Sequence, residues 1–97
     1  MIYEWDPDKA ADNERKHVGV SFDEAKTVFL DPFAETFNDP DHSVDERRFM
    51  TIGLSTRPRL LFVAHVDRGA DRVRIISARV ATRGENYAYQ ERSTKRE

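Results

Sequence analysis

The chain contains no cysteine. That excludes disulfide staples, thiolate-bound zinc and a cysteine nucleophile. Glycine and proline number only four each, and no low-complexity stretch, internal repeat or domain linker interrupts the sequence. No stretch approaches the roughly 18 apolar residues that a membrane helix needs, so no membrane partner is expected. The opening residues Met1-Ile2-Tyr3-Glu4-Trp5-Asp6 lack a basic segment leading into an apolar run. They do not read as a signal peptide, and a cytoplasmic location is the expectation.

What is present makes one domain, residues 1–97. A chain of this size buries about two-thirds of its unfolded surface, enough for one modest core. Apolar residues are 38% and charged residues 35% of the sequence. The apolar residues are clustered, which implies a small fold with a highly charged surface. The charge is segregated. Residues 1–56 hold 6 Lys/Arg against 13 Asp/Glu, and residues 57–97 hold 10 Lys/Arg against 5 Asp/Glu. Nine of the ten cations in the second part are arginine, the side chain best suited to bidentate phosphate contacts. Such asymmetry fits nucleic acid or an acidic partner; it also fits a solvated surface with local ion pairs.

Local signals divide the chain into elements. Residues 2–5 form a short apolar-aromatic edge strand. Asp6-Pro7 opens a helix, Asp as N-cap and Pro at the first helical position, running to about His17. Ser21-Phe22-Asp23-Glu24 is a capping box, in which Glu24 is expected to return to a free N–H, and Asp31-Pro32 ends the second helix. Phe22, Ala25, Val28 and Phe29 share its inward face. Strands are expected over 33–38, 48–55, 60–66 and 73–80, the third of these central, with a polar loop at 39–43 and a hairpin connection at 56–59. Thr82-Arg83-Gly84-Glu85 is a second capping box, opening a last helix that frays after Arg92. The fold class is therefore α+β: an antiparallel sheet of three to five strands with two N-terminal helices and a C-terminal helix packed on one face.

A set of distinct short blocks follows in order along nearly the whole chain. They are Trp5-Asp6-Pro7 with Lys9, Asn13-Glu14-Arg15-Lys16-His17, Val20-Ser21-Phe22-Asp23-Glu24-Ala25 with Val28-Phe29, and Asp31-Pro32. Then come Asp45-Glu46-Arg47-Arg48 leading to Ile52-Gly53, Leu60-Leu61, Arg74-Ile75-Ile76-Ser77-Ala78-Arg79, and Ala81-Thr82 with Glu85 and Tyr89. In these the sequence resembles the BrnT family of toxin–antitoxin ribonuclease toxins, which have a RelE-like fold. One departure is Val18-Gly19-Val20, a longer loop after His17 than is usual. The resemblance implies a small ribonuclease that inhibits translation when free. It also implies a BrnA-like antitoxin that neutralises the toxin in a heterotetramer of two toxins and two antitoxins, and that alone contacts operator DNA. No cofactor and no metal is implied: the RNA 2′-OH attacks the adjacent phosphate, which calls for a base, an acid and cations for the phosphorane charge.

The arginine-rich strand 72–80 is the most informative segment. Strict alternation places Val73, Ile75, Ser77 and then Arg79 on one face, with Arg72, Arg74, Ile76 and Ala78 on the other. Arg74 and Arg79 inside an apolar pattern lie in a polar groove or in structural ion pairs, Glu85 being the natural partner of Arg79. His17 is the acid–base candidate, since imidazole titrates near neutrality; a helix-terminal histidine capping carbonyls explains it equally well. Glu85 is explained by its capping box and is also a candidate base or arginine orienter. Tyr89, one turn on, shares its face and is a candidate for the same site, against a packing role. The catalytic candidates are thus His17, Arg74, Arg79, Glu85 and Tyr89. Those for RNA binding are Lys16, Arg72, Arg83 and Tyr87. Lys9 is a weaker phosphate candidate. His42, with Asp39 and Asp41, reads as a solvated turn, and His65 as a satisfied histidine of the core or groove. Two other functions fit the same residues: a non-catalytic module that acts with the antitoxin at its promoter, and a gyrase-poisoning toxin on the same fold. The first gains if Arg74, Arg79, His17 and Tyr89 do not converge in one groove.

Overall fold

The structure, a computed structural model, describes residues 1–39 and 47–96. The elements are β1 (Ile2–Glu4), α1 (Pro7–Lys16), α2 (Phe22–Lys26) continued by a 3₁₀ turn (Thr27–Leu30), β2 (Glu35–Asn38), β3 (Arg48–Leu54), β4 (Leu60–Asp67), β5 (Arg72–Val80) and α3 (Arg83–Arg96). The expected α+β class holds. The segment containing Asp41 and His42 lies outside the described residues.

The five strands form one sheet in the order β1-β5-β4-β3-β2, with β4 at its centre. β2, β3, β4 and β5 pair antiparallel in succession. β1 departs from the expected antiparallel arrangement: it pairs parallel to β5, Ile2 opposite Arg72 and Glu4 opposite Arg74. The reason is the path of the chain, because α1 and α2 lie between β1 and the meander and carry the chain across the sheet.

Helix starts follow their local signals. The Asp6 carboxylate caps α1 by accepting from the Asp8 N–H at 2.8 Å, and Ser21 Oγ caps α2 by accepting from the Glu24 N–H at 3.0 Å. Glu24 does not complete the expected reciprocal box. Its carboxylate turns inward instead, accepting from Arg59 Nε (2.8 Å) and Nη2 (2.6 Å) and from Ser55 Oγ (2.7 Å). A buried carboxylate needs charged partners more than a solvated helix end needs a second cap.

The core lies on both faces of the sheet. On one, Val20, Phe22, Ala25 and Val28 from α2 and its flanks meet Leu61, Val63, Ile75 and Ala78. Trp5 packs edge-on against Phe22, and Tyr3 stacks on Phe29. The 3₁₀ turn sits so close to β3 that a Cβ on Gly53 would lie 2.8 Å from a Val28 methyl. On the other face, Ile52 and Leu60 meet Tyr89 of α3, with Phe33, Phe62 and Ala81 around them. The helices therefore do not all pack on one face. α3 crosses to the opposite one because the chain leaves β5 with Ala81 and Tyr89 directed at the second apolar cluster.

Candidate functional site

Strand β5 positions the arginines, and a bulge decides how. His65 pairs with Ile75 but its neighbour Ala64 pairs with Ser77, so Ile76 is an extra residue. Each bulge shifts the side-chain phase by one. Ile75 and Ala78 accordingly enter the core below α2, and Val73 is buried in phase with Ile75, whereas Arg72, Arg74 and Arg79 share the α3-side face. Strict alternation had separated Arg74 from Arg79 and placed Ala78 beside Arg74; the bulge corrects both assignments.

Each arginine on this face is held by a carboxylate. Glu4 bridges two of them, its Oε1 accepting from Arg72 Nη1 at 3.0 Å and its Oε2 from Arg74 Nη1 at 2.9 Å. These bonds draw the Glu4 carboxyl below its ordinary range. Arg79 makes a two-pronged pair with Glu85, Nη1 to Oε1 at 2.8 Å and Nη2 to Oε2 at 2.9 Å, and its guanidinium lies 4.6 Å over the Phe62 ring. Glu85 also completes the capping box, accepting from the Thr82 N–H at 2.8 Å while its own N–H donates to Thr82 Oγ1 at 3.2 Å. The Arg79 bonds, reinforced by Thr82 and opposed by burial, bring the Glu85 carboxyl down to about 2. Glu85 is therefore both a helix cap and the ion-pair partner of Arg79, the structural pairing that the sequence suggested for that arginine. A carboxylate so acidic makes a poor proton acceptor at neutral pH.

Two catalytic candidates do not join this group. Tyr89 is buried, and its hydroxyl donates to Asp31 Oδ2. Burial and that carboxylate push its phenol well above the ordinary value. It fastens α3 to the end of the 3₁₀ turn and is closed to substrate. His17 caps the C-terminus of α1, its N–H donating to the Asn13 carbonyl at 2.9 Å. Because α1 packs on the α2 side of the sheet, His17 stands across β5 from the arginine face. It lines a hollow of about 300 Å³ together with Lys9, Lys16 and Ser77. Of the RNA-binding candidates, Arg72 lies on the arginine face and Lys16 in the hollow. Arg83 and Tyr87 are exposed on the first turns of α3.

His65 is a core residue. It lies between Phe29 and Phe49, with Nε2 2.7 Å from Thr51 Oγ1 and Nδ1 3.4 Å from Asp67 Oδ1. Burial lowers its pKa, partly offset by Asp67. Sequence reasoning missed two constellations. One is Glu24 with Arg59 and Ser55. The other is Asp31, which accepts from the N–H groups of Phe33 (2.9 Å) and Leu54 (2.8 Å) and from Tyr89. The only local hint of the second is Asp31-Pro32 itself, which reads as a helix stop.

The model of a family described as ribonuclease toxin, BrnT, of type II toxin–antitoxin system matches residues 5–85. Among solved structures, the 1.1 Å crystal structure of the Brucella abortus ribonuclease toxin BrnT matches with a TM-score of 0.66 and 24% sequence identity, covering 86% of this chain and 100% of that one. That likeness shows a shared fold. No curated protein matches the chain.

Proposed function

Because this chain belongs to the BrnT family of ribonuclease toxins of type II toxin–antitoxin systems, we propose that it is a metal-independent endoribonuclease whose scissile phosphate is held on the arginine face of β5. The free toxin cuts RNA and so stops translation. An antitoxin of the BrnA kind neutralises it in a two-plus-two assembly and carries any contact with operator DNA.

One observation carries this proposal: the bulge at Ile76 gathers Arg72, Arg74 and Arg79 on one face of the sheet. Arg79 is oriented in advance by Glu85 and Phe62. In the reaction the 2′-oxygen forms a bond to phosphorus and its proton leaves. The phosphorus–O5′ bond breaks, and the leaving oxygen takes up a proton. Negative charge accumulates on the phosphoryl oxygens in between. Fixed guanidinium groups stabilise that charge without reorganisation, and the N–H groups that each guanidinium does not give to its carboxylate are the donors for the phosphoryl oxygens. Glu85 acts as a positioning residue through Arg79.

The test is cleavage of RNA by antitoxin-free protein in EDTA, wild type beside Arg79→Ala and Arg79→Lys, with analysis of product ends. The expected outcome is cyclic or 3′-phosphate ends. Arg79→Ala should lower the rate by about 10²-fold or more, as removal of a charge-stabilising donor does elsewhere. Arg79→Lys should rescue little, because a lysine cannot make the two-pronged contact. Loss of all activity in EDTA would sink metal independence. A second reading, a non-catalytic antitoxin-binding module, is favoured by the dispersal of His17 and Tyr89 away from the arginines. It requires that Arg79→Ala weaken antitoxin binding while no RNA is cut, free or on translating ribosomes.

A further inference from the structure

The side of β5 away from the arginine face carries a second set of cations with a different character. β1 covers only residues 72–74 of β5, so the later part of that edge has no strand beside it. Helix α1 fills the place. Asn13, buried, substitutes for a strand: its Nδ2 donates to the Ala78 carbonyl at 2.8 Å and to the Val20 carbonyl at 2.9 Å, and its Oδ1 accepts from the Ala78 N–H at 3.0 Å. That uses up the amide and pins the helix to the edge.

Lys9 and Lys16 stand at i−4 and i+3 from Asn13, on the same helical stripe. Ala10 and Asn13 turn toward the sheet, and the two lysines stand exposed at the rim beside them. Lys9, Lys16, His17 and Ser77 line the hollow beside the edge, and none of the four side chains has a hydrogen bond or ion pair among the described residues. Asp12 also lines the hollow, and its carboxylate is paired with Arg15. The arginines across the strand are all matched with Glu4 or Glu85. The lysines are not matched.

We propose that this hollow binds a backbone phosphate of the RNA chain, so that the bound strand crosses the open edge of β5 between the hollow and the arginine face. The inference rests on the nuclease reading and deepens it. Unmatched ammonium groups attract an anion without first displacing a carboxylate, and the His17 ring lies beside them. Lysine as a point charge suits a backbone contact that must tolerate any base. The scissile phosphate stays with the arginines, and the hollow supplies register.

The experiment is binding of a mixed-sequence single-stranded RNA with every 2′-OH methylated, which blocks cleavage, followed by anisotropy across a salt series. Lys9→Gln, Lys16→Gln and the pair are compared with Lys26→Gln, a lysine paired with Asp23 on α2. Each hollow lysine should reduce the slope of log affinity against log salt by about 0.7, and the pair by about 1.4. Lys26→Gln should leave the slope unchanged. Neither hollow lysine makes a contact the fold depends on, so the variants should keep the wild-type circular dichroism. If wild type binds and the hollow variants match it, or match Lys26→Gln, the hollow is overturned while the nuclease reading stands. If wild type binds no RNA, both fall together.

Discussion

At the scale of single residues, two positions show what the backbone tolerates. After α1 the chain reverses through Val18 at φ 53° and Gly19 at φ 70°. Glycine occupies that region freely, but a β-branched residue there is strained by roughly 1–2 kcal/mol. Val18 is exposed, so its side chain returns little packing. Val18→Asn should therefore stabilise the protein by about 1 kcal/mol, read as a higher denaturation midpoint with unchanged denaturant slope. No change in midpoint would mean that the turn is not held in this conformation. Tyr89 shows the opposite lesson, that a side chain with the right chemistry for a site is fully spent on structure. Its hydroxyl is committed to Asp31, and its ring is the sole buried side chain that α3 contributes to the apolar cluster among the described residues.

At the scale of elements, close approach and register dominate. The 3₁₀ turn can lie against β3 only because residue 53 has no side chain. Gly53→Ala should cost about 1–3 kcal/mol, since both Val28 and the backbone behind it would have to move. Thermal melting measures that directly, and a neutral result would mean the turn is looser than described. β5 is the element that matters most for function. The period-2 pattern of its sequence is genuine on either side of Ile76, but an extra residue is invisible to alternation. It becomes visible only when β4 fixes which residues pair. The capping boxes behave differently. Thr82 and Glu85 are three residues apart, and so are Ser21 and Glu24, so each motif was legible. Even so, the box at Glu24 closes on one side only, because the carboxylate goes to Arg59, 35 positions away, and no local rule announces that partner.

At the scale of the whole molecule, the acidic first part and basic second part of the chain neutralise one another in space. Glu4 meets Arg72 and Arg74, and Glu24 meets Arg59. This gives stability a definite dependence on pH. Glu4, Glu24, Asp31 and Glu85 all have folded-state pKa values below their ordinary ones. For such groups the unfolded chain takes up protons first on acidification, so their contribution is full above the ordinary carboxylate range and is lost as pH falls through it. For Glu85 the span is from 4.5 down to about 2. At full value that corresponds to roughly 3–4 kcal/mol, and solvent screening of this partly exposed pair lowers it. His65, lowered by burial, adds an earlier loss. The unfolded imidazole protonates below about pH 6.5 while the folded one resists, so stability begins to decline there. Urea denaturation between pH 8 and 3 should show a shallow fall below about 6.5 and a steeper one below about 4.5. His65→Gln should remove the first phase alone, and Glu85→Gln should reduce the second. A stability flat to pH 4 would contradict the buried pairs.

The division between sequence and tertiary structure follows from the range of the forces involved. Helix starts, the central strand, the hairpin connection, the α+β class and the family were all determined by residues near one another in the chain. Caps, periodicity and turn chemistry act over a few positions. The tertiary structure alone decided that Arg74 and Arg79 share a face, that His17 stands across β5 from them, and that Tyr89 is closed off by Asp31. Those facts depend on which strands pair and where one extra residue is absorbed. They are set by packing between segments separated by dozens of positions, where no short motif carries the information.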